Sequence, residues 1–145
     1  MKIIKLKKLN PNAKTPTKGS LFSAGFDLYA CLEHEIKIKP NETVKVPTGI
    51  ALEIPTGFVG LIFARSGLAT KKGLAPANKV GVCDSDYRGE YLVALHNHGQ
   101  LEATIKPNDR IAQLVVVEVQ NFDFEEVAEL SSTQRNENGF GSTGN

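Results

Sequence analysis

Turn-forming residues recur along this 145-residue chain at intervals that leave little room for helices. They cluster at Lys39-Pro40-Asn41, Pro47-Thr48-Gly49, Pro55-Thr56-Gly57 and Lys72-Gly73, and again at Arg88-Gly89, His98-Gly99 and Lys106-Pro107-Asn108-Asp109. Proline presets the first corner of a turn, and Gly or Asn accepts a left-handed one, so each cluster closes one extended run and opens the next. Between the clusters lie short β-prone runs. Glu35-Ile36-Lys37-Ile38-Lys39 and Thr43-Val44-Lys45-Val46 alternate strictly, whereas Phe58 to Phe63 and Leu114 to Val117 are nearly continuous apolar runs. The second kind predicts strands buried on both faces. Many short strands at this spacing predict an all-β, single-domain, jelly-roll-like sandwich or barrel. A helix is hard to place: one short turn fits over Ser66–Lys72 or Thr70–Leu74, and Phe122 to Leu130 carries acids without a helical stripe.

Composition narrows the function. Apolar residues make up 41% of the chain, enough for one core. No run of about eighteen apolar residues occurs, so no membrane-spanning helix is expected. Met1 to Lys8 alternates charged and aliphatic residues where a secretory leader needs an unbroken apolar stretch, and a cytoplasmic location is the expectation. Cys31 and Cys83 lack any CxxC or metal-ligand spacing and read as reduced, packed thiols. The net charge of +1 argues against nucleic-acid binding, which needs a broad basic face. An anionic ligand must therefore meet a few well-placed arginines. From Ser131 onward the chain is polar and Gly-rich, which predicts a β domain over 1–130 and a mobile arm over 131–145.

Five segments carry residues that a bare scaffold does not need. In Ala24-Gly25-Phe26-Asp27-Leu28-Tyr29-Ala30, Asp27 sits among apolar neighbours and is costly to bury unless a donor or cation faces it. Ala64-Arg65-Ser66-Gly67-Leu68-Ala69 reads as a turn with a Ser helix cap. The same geometry, with free N–H groups and an adjacent Arg, makes an anion site. Asn78 to Glu90 (Asn78-Lys79-Val80-Gly81-Val82-Cys83-Asp84-Ser85-Asp86-Tyr87-Arg88-Gly89-Glu90) reads as a β-hairpin with an acidic tip. Asp84-x-Asp86 lacks the further ligands of a calcium loop. Pro107 to Leu114 is a turn feeding a buried strand, with Asp109-Arg110 a candidate ion pair. Arg135 and Phe140 set the tail apart from an ordinary linker. His96 and His98, two apart on a strand, read as solvated residues rather than metal ligands.

In order and spacing, these segments resemble the five motifs of the homotrimeric dUTPase (deoxyuridine 5'-triphosphate nucleotidohydrolase) family, over Ala24 to Gly144. The resemblance implies a dUTP diphosphatase that yields dUMP and pyrophosphate, limits uracil incorporation into DNA and supplies dUMP for thymidylate synthesis. It implies Arg65, Ser66, Gly67 and Gln113 on the triphosphate. Asn78, Val82, Cys83 and Leu92 fall with the base, and Tyr87 lies under the deoxyribose. Asp84 is implied as the residue that orients the attacking water and binds near the 3'-hydroxyl. Arg135, Phe140, Gly141, Ser142 and Thr143 are implied to close over the nucleotide as an arm, with Arg135 joining the catalytic set. Asp27, Asp109 and Arg110 become supports, and Mg²⁺ is held by the triphosphate and by waters, one of them on Asp27, with no direct protein ligand. Sites shared among three subunits follow. The chain departs from the family at Ala64 (usually Pro), Cys83 (usually aliphatic) and at Asn136 and Asn138 (often Gly). A dCTP deaminase of the same fold and a non-catalytic dUTP-binding module are the alternatives; the Asp84-Ser85-Asp86-Tyr87 pattern favours the diphosphatase.

Overall fold

The computed structural model describes residues 2–137 and 139. In chain order the first strands are β1 (Lys5–Lys8), β2 (Thr17–Lys18), β3 (Phe26–Tyr29), β4 (Ile36–Ile38), β5 (Thr43–Pro47) and β6 (Ile50–Glu53). There follow β7 (Phe58–Phe63), the helix α1 (Ser66–Lys72), β8 (Leu74–Pro76), β9 (Gly81–Cys83), β10 (Leu92–Asn97), β11 (Ala103–Ile105) and β12 (Arg110–Glu118). The largest sheet has the order β2-β3-β12-β7-β9, a second has β5-β10-β8, and β1-β6 and β4-β11 pair separately. Every pairing is antiparallel. The chain is an all-β jelly-roll-like sandwich around one core, in which Leu28, Ile38, Leu95, Ile105 and Ile111 are fully buried.

The turn clusters act as their residues require. Asn41, Gly49, Gly57, Gly73 and Asn108 all have positive φ, a region that Gly enters freely and Asn tolerates. At Gly49 (φ 69°) a Cβ would stand 2.8 Å from both Ala13 Cβ and Cys31 Sγ, so space as well as conformation demands glycine. The turn before β12 closes twice: Asp109 N–H donates to the Lys106 carbonyl at 3.0 Å, and Lys106 N–H donates to the Asp109 carboxylate at 2.9 Å. Asn97, fully buried, bridges loops by donating to the carbonyls of Ile38 (2.9 Å) and Leu101 (2.8 Å).

Three expectations are corrected. β7 and β12 are not buried on both faces: Ile62 and Leu114 are buried, whereas Val117 is 37% exposed. Within one chain only the core-facing side of these strands has a layer to pack against. The Asn78–Glu90 segment is not a hairpin. β9 pairs with β7, while the following strand β10 pairs with β5 and β8, so the Asp84–Tyr87 turn carries the chain from one sheet to another. Asp109 and Arg110 do not pair, because Asp109 is spent on the turn and Arg110 reaches Asp27 instead.

Of the two helix placements, Ser66–Lys72 is the one formed. Its N-cap is Arg65, with no side-chain cap, and Ser66 is the first helical residue rather than the cap. Gly73 ends it in the left-handed conformation, its N–H donating to Ala69 O at 3.1 Å. Past Glu118 the described residues form neither strand nor helix, and Phe122 and Leu130 are 84% and 88% exposed. Among the described residues no helix is long and apolar enough to cross a membrane.

Candidate active site

The register of the large sheet builds a cationic cleft. On β12, Gln113 stands opposite Asp27 of β3 on one side and Phe63 of β7 on the other. Two residues beyond Phe63 the chain reaches Arg65, at the start of α1. Arg65 Nε donates to Asp27 Oδ1 at 2.8 Å, and Arg110 Nη1 donates to Asp27 Oδ2 at 3.2 Å. This answers the burial question posed by Asp27, whose side chain is 13% exposed. Its partners are 38 and 83 residues away. Gln113 donates to the Ala64 carbonyl at 2.9 Å. A Cβ at Gly25, just before β3, would stand 2.8 Å from Gln113 Oε1 and would push the end of that side chain from its place. Asp27, Arg65, Ser66, Gly67, Arg110 and Gln113 together line a cleft of about 410 Å³. With two guanidiniums and one carboxylate, the cleft keeps one positive charge to spare, as a polyanion site requires.

A second cavity, of about 240 Å³, forms where β9 turns away from β7. Asn78, Val82, Cys83, Asp84, Tyr87 and Leu92 line it, and the main chain of β9 forms one edge. The Asp84–Tyr87 turn closes with Tyr87 N–H donating to Asp84 O at 3.2 Å. That turn leaves the Asp84 carboxylate exposed on the cavity wall. Tyr87 is 45% exposed, yet its ring is held: the hydroxyl donates to Glu90 O at 3.0 Å, and the ring leans on Tyr91 at a centroid distance of 5.9 Å. Cys83, the last residue of β9, packs against the core, and burial pushes its thiol above the ordinary range. Beneath it Tyr91 is 1% exposed, and its hydroxyl makes no well-formed hydrogen bond, with the Cys83 thiol beside it. Burial also raises the Tyr91 phenol.

Thus the fold gathers most of the residues named from sequence into two groups, with Asp109 and Arg135 in neither, and no residue lines both. Arg135 is exposed, in a bend next to Asn136, whose φ is 42°. Thr133 and Asn136 lock that bend with reciprocal bonds of 2.8 and 3.0 Å. Asn138, Phe140, Gly141, Ser142 and Thr143 lie outside the described residues. Among the described residues no three His, Cys, Asp or Glu side chains gather to hold a metal.

A match decides the reading: residues 11–144 fit the family model described as dUTPase. The chain belongs to the dUTPase family. Among dUTPase relatives, the deoxyuridine 5'-triphosphate nucleotidohydrolase of Syntrophotalea carbinolica is 48% identical over 141 residues, covering 97% of this chain and 96% of its own. That of Desulfitobacterium hafniense is 51% identical over 132 residues, with 90% and 87% covered. The dUTPase of Staphylococcus bacteriophage 80alpha, solved with dUPNHPP, superposes with a TM-score of 0.90 at 27% identity, covering 99% of both chains.

Two residues lining the smaller cavity of this dUTPase-family chain escaped the sequence reading. Glu90 accepts from Gly49 N–H at 2.8 Å and lines the smaller cavity. Tyr91 forms its floor, and nothing in an apolar strand start announces a buried phenol. His96 accepts or donates through Nδ1 to the Thr43 hydroxyl at 2.8 Å, and its ring meets His98 edge-on at 4.4 Å. His98 is just past the end of β10 and exposed, whereas His96 is half-buried, so only one of the pair is a solvated residue.

Proposed function

We propose that this chain hydrolyses dUTP to dUMP and pyrophosphate by in-line attack of water on the α-phosphorus, with Asp84 as general base. The water oxygen bonds to the α-phosphorus as its proton passes to Asp84. The bond to the α–β bridging oxygen breaks, and pyrophosphate leaves with that electron pair. One observation carries the reading: a single chain displays both a cleft with fixed guanidiniums and a nucleoside-sized cavity with an exposed carboxylate on its wall. A base within one hydrogen bond of water contributes roughly 10²–10⁴-fold, and fixed cations around the phosphates supply the rest of the charge stabilisation.

Selectivity follows from the smaller cavity. The main chain of β9 offers a fixed donor and acceptor pattern to the pyrimidine edge, with Asn78 beside it. Cytosine reverses that pattern and would leave buried groups unpaired. The Tyr87 ring, held through Glu90 and Tyr91, packs under the sugar and leaves no space for a 2'-hydroxyl. In the cleft Arg65, Ser66, Gly67 and Gln113 hold the triphosphate, with Asp27 and Arg110 setting the Arg65 guanidinium. Arg135 and Phe140 to Thr143, on the arm over 131–145, close over the bound nucleotide.

The cleft fits a metal that arrives with the triphosphate better than one held by protein, since the Asp27 carboxylate already faces two arginines. Mg²⁺ would there neutralise charge developing on the leaving oxygens. Because the two groups of residues line separate cavities, a complete site is assembled between copies, and a homotrimer with shared sites is the arrangement proposed. The test is incubation with dUTP and Mg²⁺, scoring dUMP and pyrophosphate, with UTP, dCTP and dTTP alongside. No dUMP from dUTP, or ammonia released from dCTP, would overturn the proposal.

A further inference from the structure

Next to the phosphate cleft lies another cavity, of about 270 Å³, and the two share Arg65, Gly67 and Arg110 as a common wall. Its far side is formed by the last turn of α1, where Lys71 and Lys72 line it, and by Asp109. Neither lysine makes a salt bridge among the described residues. Lys72 Nζ stands 3.4 Å from the Thr104 carbonyl, a long contact that occupies one of its three donors at most. Cations in the last turn of a helix are favoured by its dipole, and these two stand between this cavity and a second space lined by Thr104. Gly67 lines both spaces, and nothing lies within 4 Å of where a Cβ would stand there, so no side chain stands over the shared wall at that residue.

Charge explains what such a space would take. Four cationic side chains, Arg65, Arg110, Lys71 and Lys72, face two carboxylates, Asp27 and Asp109. Asp109 accepts only a neutral main-chain N–H, so its charge opposes an anion and is outnumbered. Each arginine donates one hydrogen bond to a different oxygen of Asp27. The lysines are flexible point charges, suited to an anion that arrives and departs rather than one held for chemistry.

We propose that Lys71 and Lys72, with the outer faces of Arg65 and Arg110, form a subsite for a free diphosphate anion beside the triphosphate cleft. This rests on the hydrolase reading, in which pyrophosphate is released within reach of these side chains. After cleavage the diphosphate passes by Gly67 from the cleft into the lysine-lined space and from there to solvent. Before cleavage the same charges draw a polyphosphate tail toward the cleft, an effect that salt weakens. No bond is made or broken in either passage.

The experiment compares the full-length protein with the Lys71→Gln/Lys72→Gln double variant by calorimetric titration with sodium pyrophosphate and, separately, with dUMP. Two exposed charges removed from an anion's neighbourhood predict a roughly tenfold weaker pyrophosphate affinity at low salt. The dUMP affinity should stay within about twofold, and the pyrophosphate difference should shrink at high ionic strength. Lys45→Gln, on the exposed face of β5, is the control for the change in net charge. Unchanged pyrophosphate affinity, an equal loss for dUMP, or the same loss in the control would each overturn the subsite. Should the double variant melt early, the two single variants give the same comparison. Pyrophosphate binding is read without turnover, so a parent protein that binds pyrophosphate but leaves dUTP intact would sink the activity alone.

Discussion

Asp84 offers the cleanest separation of chemistry from binding. Its carboxylate is exposed and takes no part in the turn, which closes through its carbonyl. Asp84→Asn should therefore keep the fold and the affinity for a dUTP analogue while lowering kcat by roughly 10²–10⁴-fold. A kcat near that of the parent would move the base elsewhere. Tyr87→Ala removes the ring that Tyr91 and Glu90 hold in place. The ratio of kcat/KM for UTP over dUTP should rise, and a constant ratio would place the sugar discrimination elsewhere. Tyr91 itself gives a pH test. Burial raises its phenol in the folded chain, whereas the unfolded chain ionises near the ordinary value of about 10. The protonated phenol thus contributes stability in full below about pH 10, and that contribution is lost as pH rises further. Tyr91→Phe should match or exceed the parent's melting temperature at pH 7, because the lost hydroxyl lacked a well-formed bond. In alkaline buffer it should lose less stability than the parent. An identical alkaline decline in both proteins would contradict this.

Local chemistry and long-range pairing were not equally readable from the sequence. Turns at Asn41, Gly49 and Asn108 were legible because a positive φ admits few residue types. The alternating runs at β4 and β5 were legible because period two needs no partner to be seen. The hairpin expected over Asn78–Glu90 failed at a different step: its strand and turn exist, but which strand β9 joins depends on residues Phe58–Phe63 far back in the chain. Asp109-Arg110 failed similarly, since adjacency in sequence says nothing of the Asp27 that Arg110 meets 83 residues away. Among the described residues regular structure stops beyond β12, and the last bond there between main-chain groups is Val119 N–H to Gly57 O at 2.9 Å. Removing Arg135 onward should leave the melting temperature within a few degrees, since residues outside the core carry little of the stability. Activity toward dUTP should fall sharply, and an unaffected rate would refute the closing role of the arm.

Across the whole molecule, one chain leaves unusual apolar surface bare. Phe22, Phe122 and Leu130 are all more than four-fifths exposed, and the outer side of β12 is only part-covered. The proposed trimer would cover part of that surface. Sedimentation or light scattering should give three times the mass of the chain. Mixing settles the sharing of sites: Asp84→Asn and Arg65→Ala chains, each inactive alone, should regain part of the parent rate once exchanged into mixed trimers. No recovery would mean that each chain completes its own site. The Asp27 bridge, finally, sets what can occupy such a site. The Asp27 carboxylate already takes one donor from each arginine, so an incoming anion competes with it for those two donors. A ligand with several linked negative groups would reach the remaining donors of both guanidiniums at once while Asp27 stays in place. The bridge would thereby favour linked anionic groups over single small ones, which inhibition by pyrophosphate compared with chloride would check.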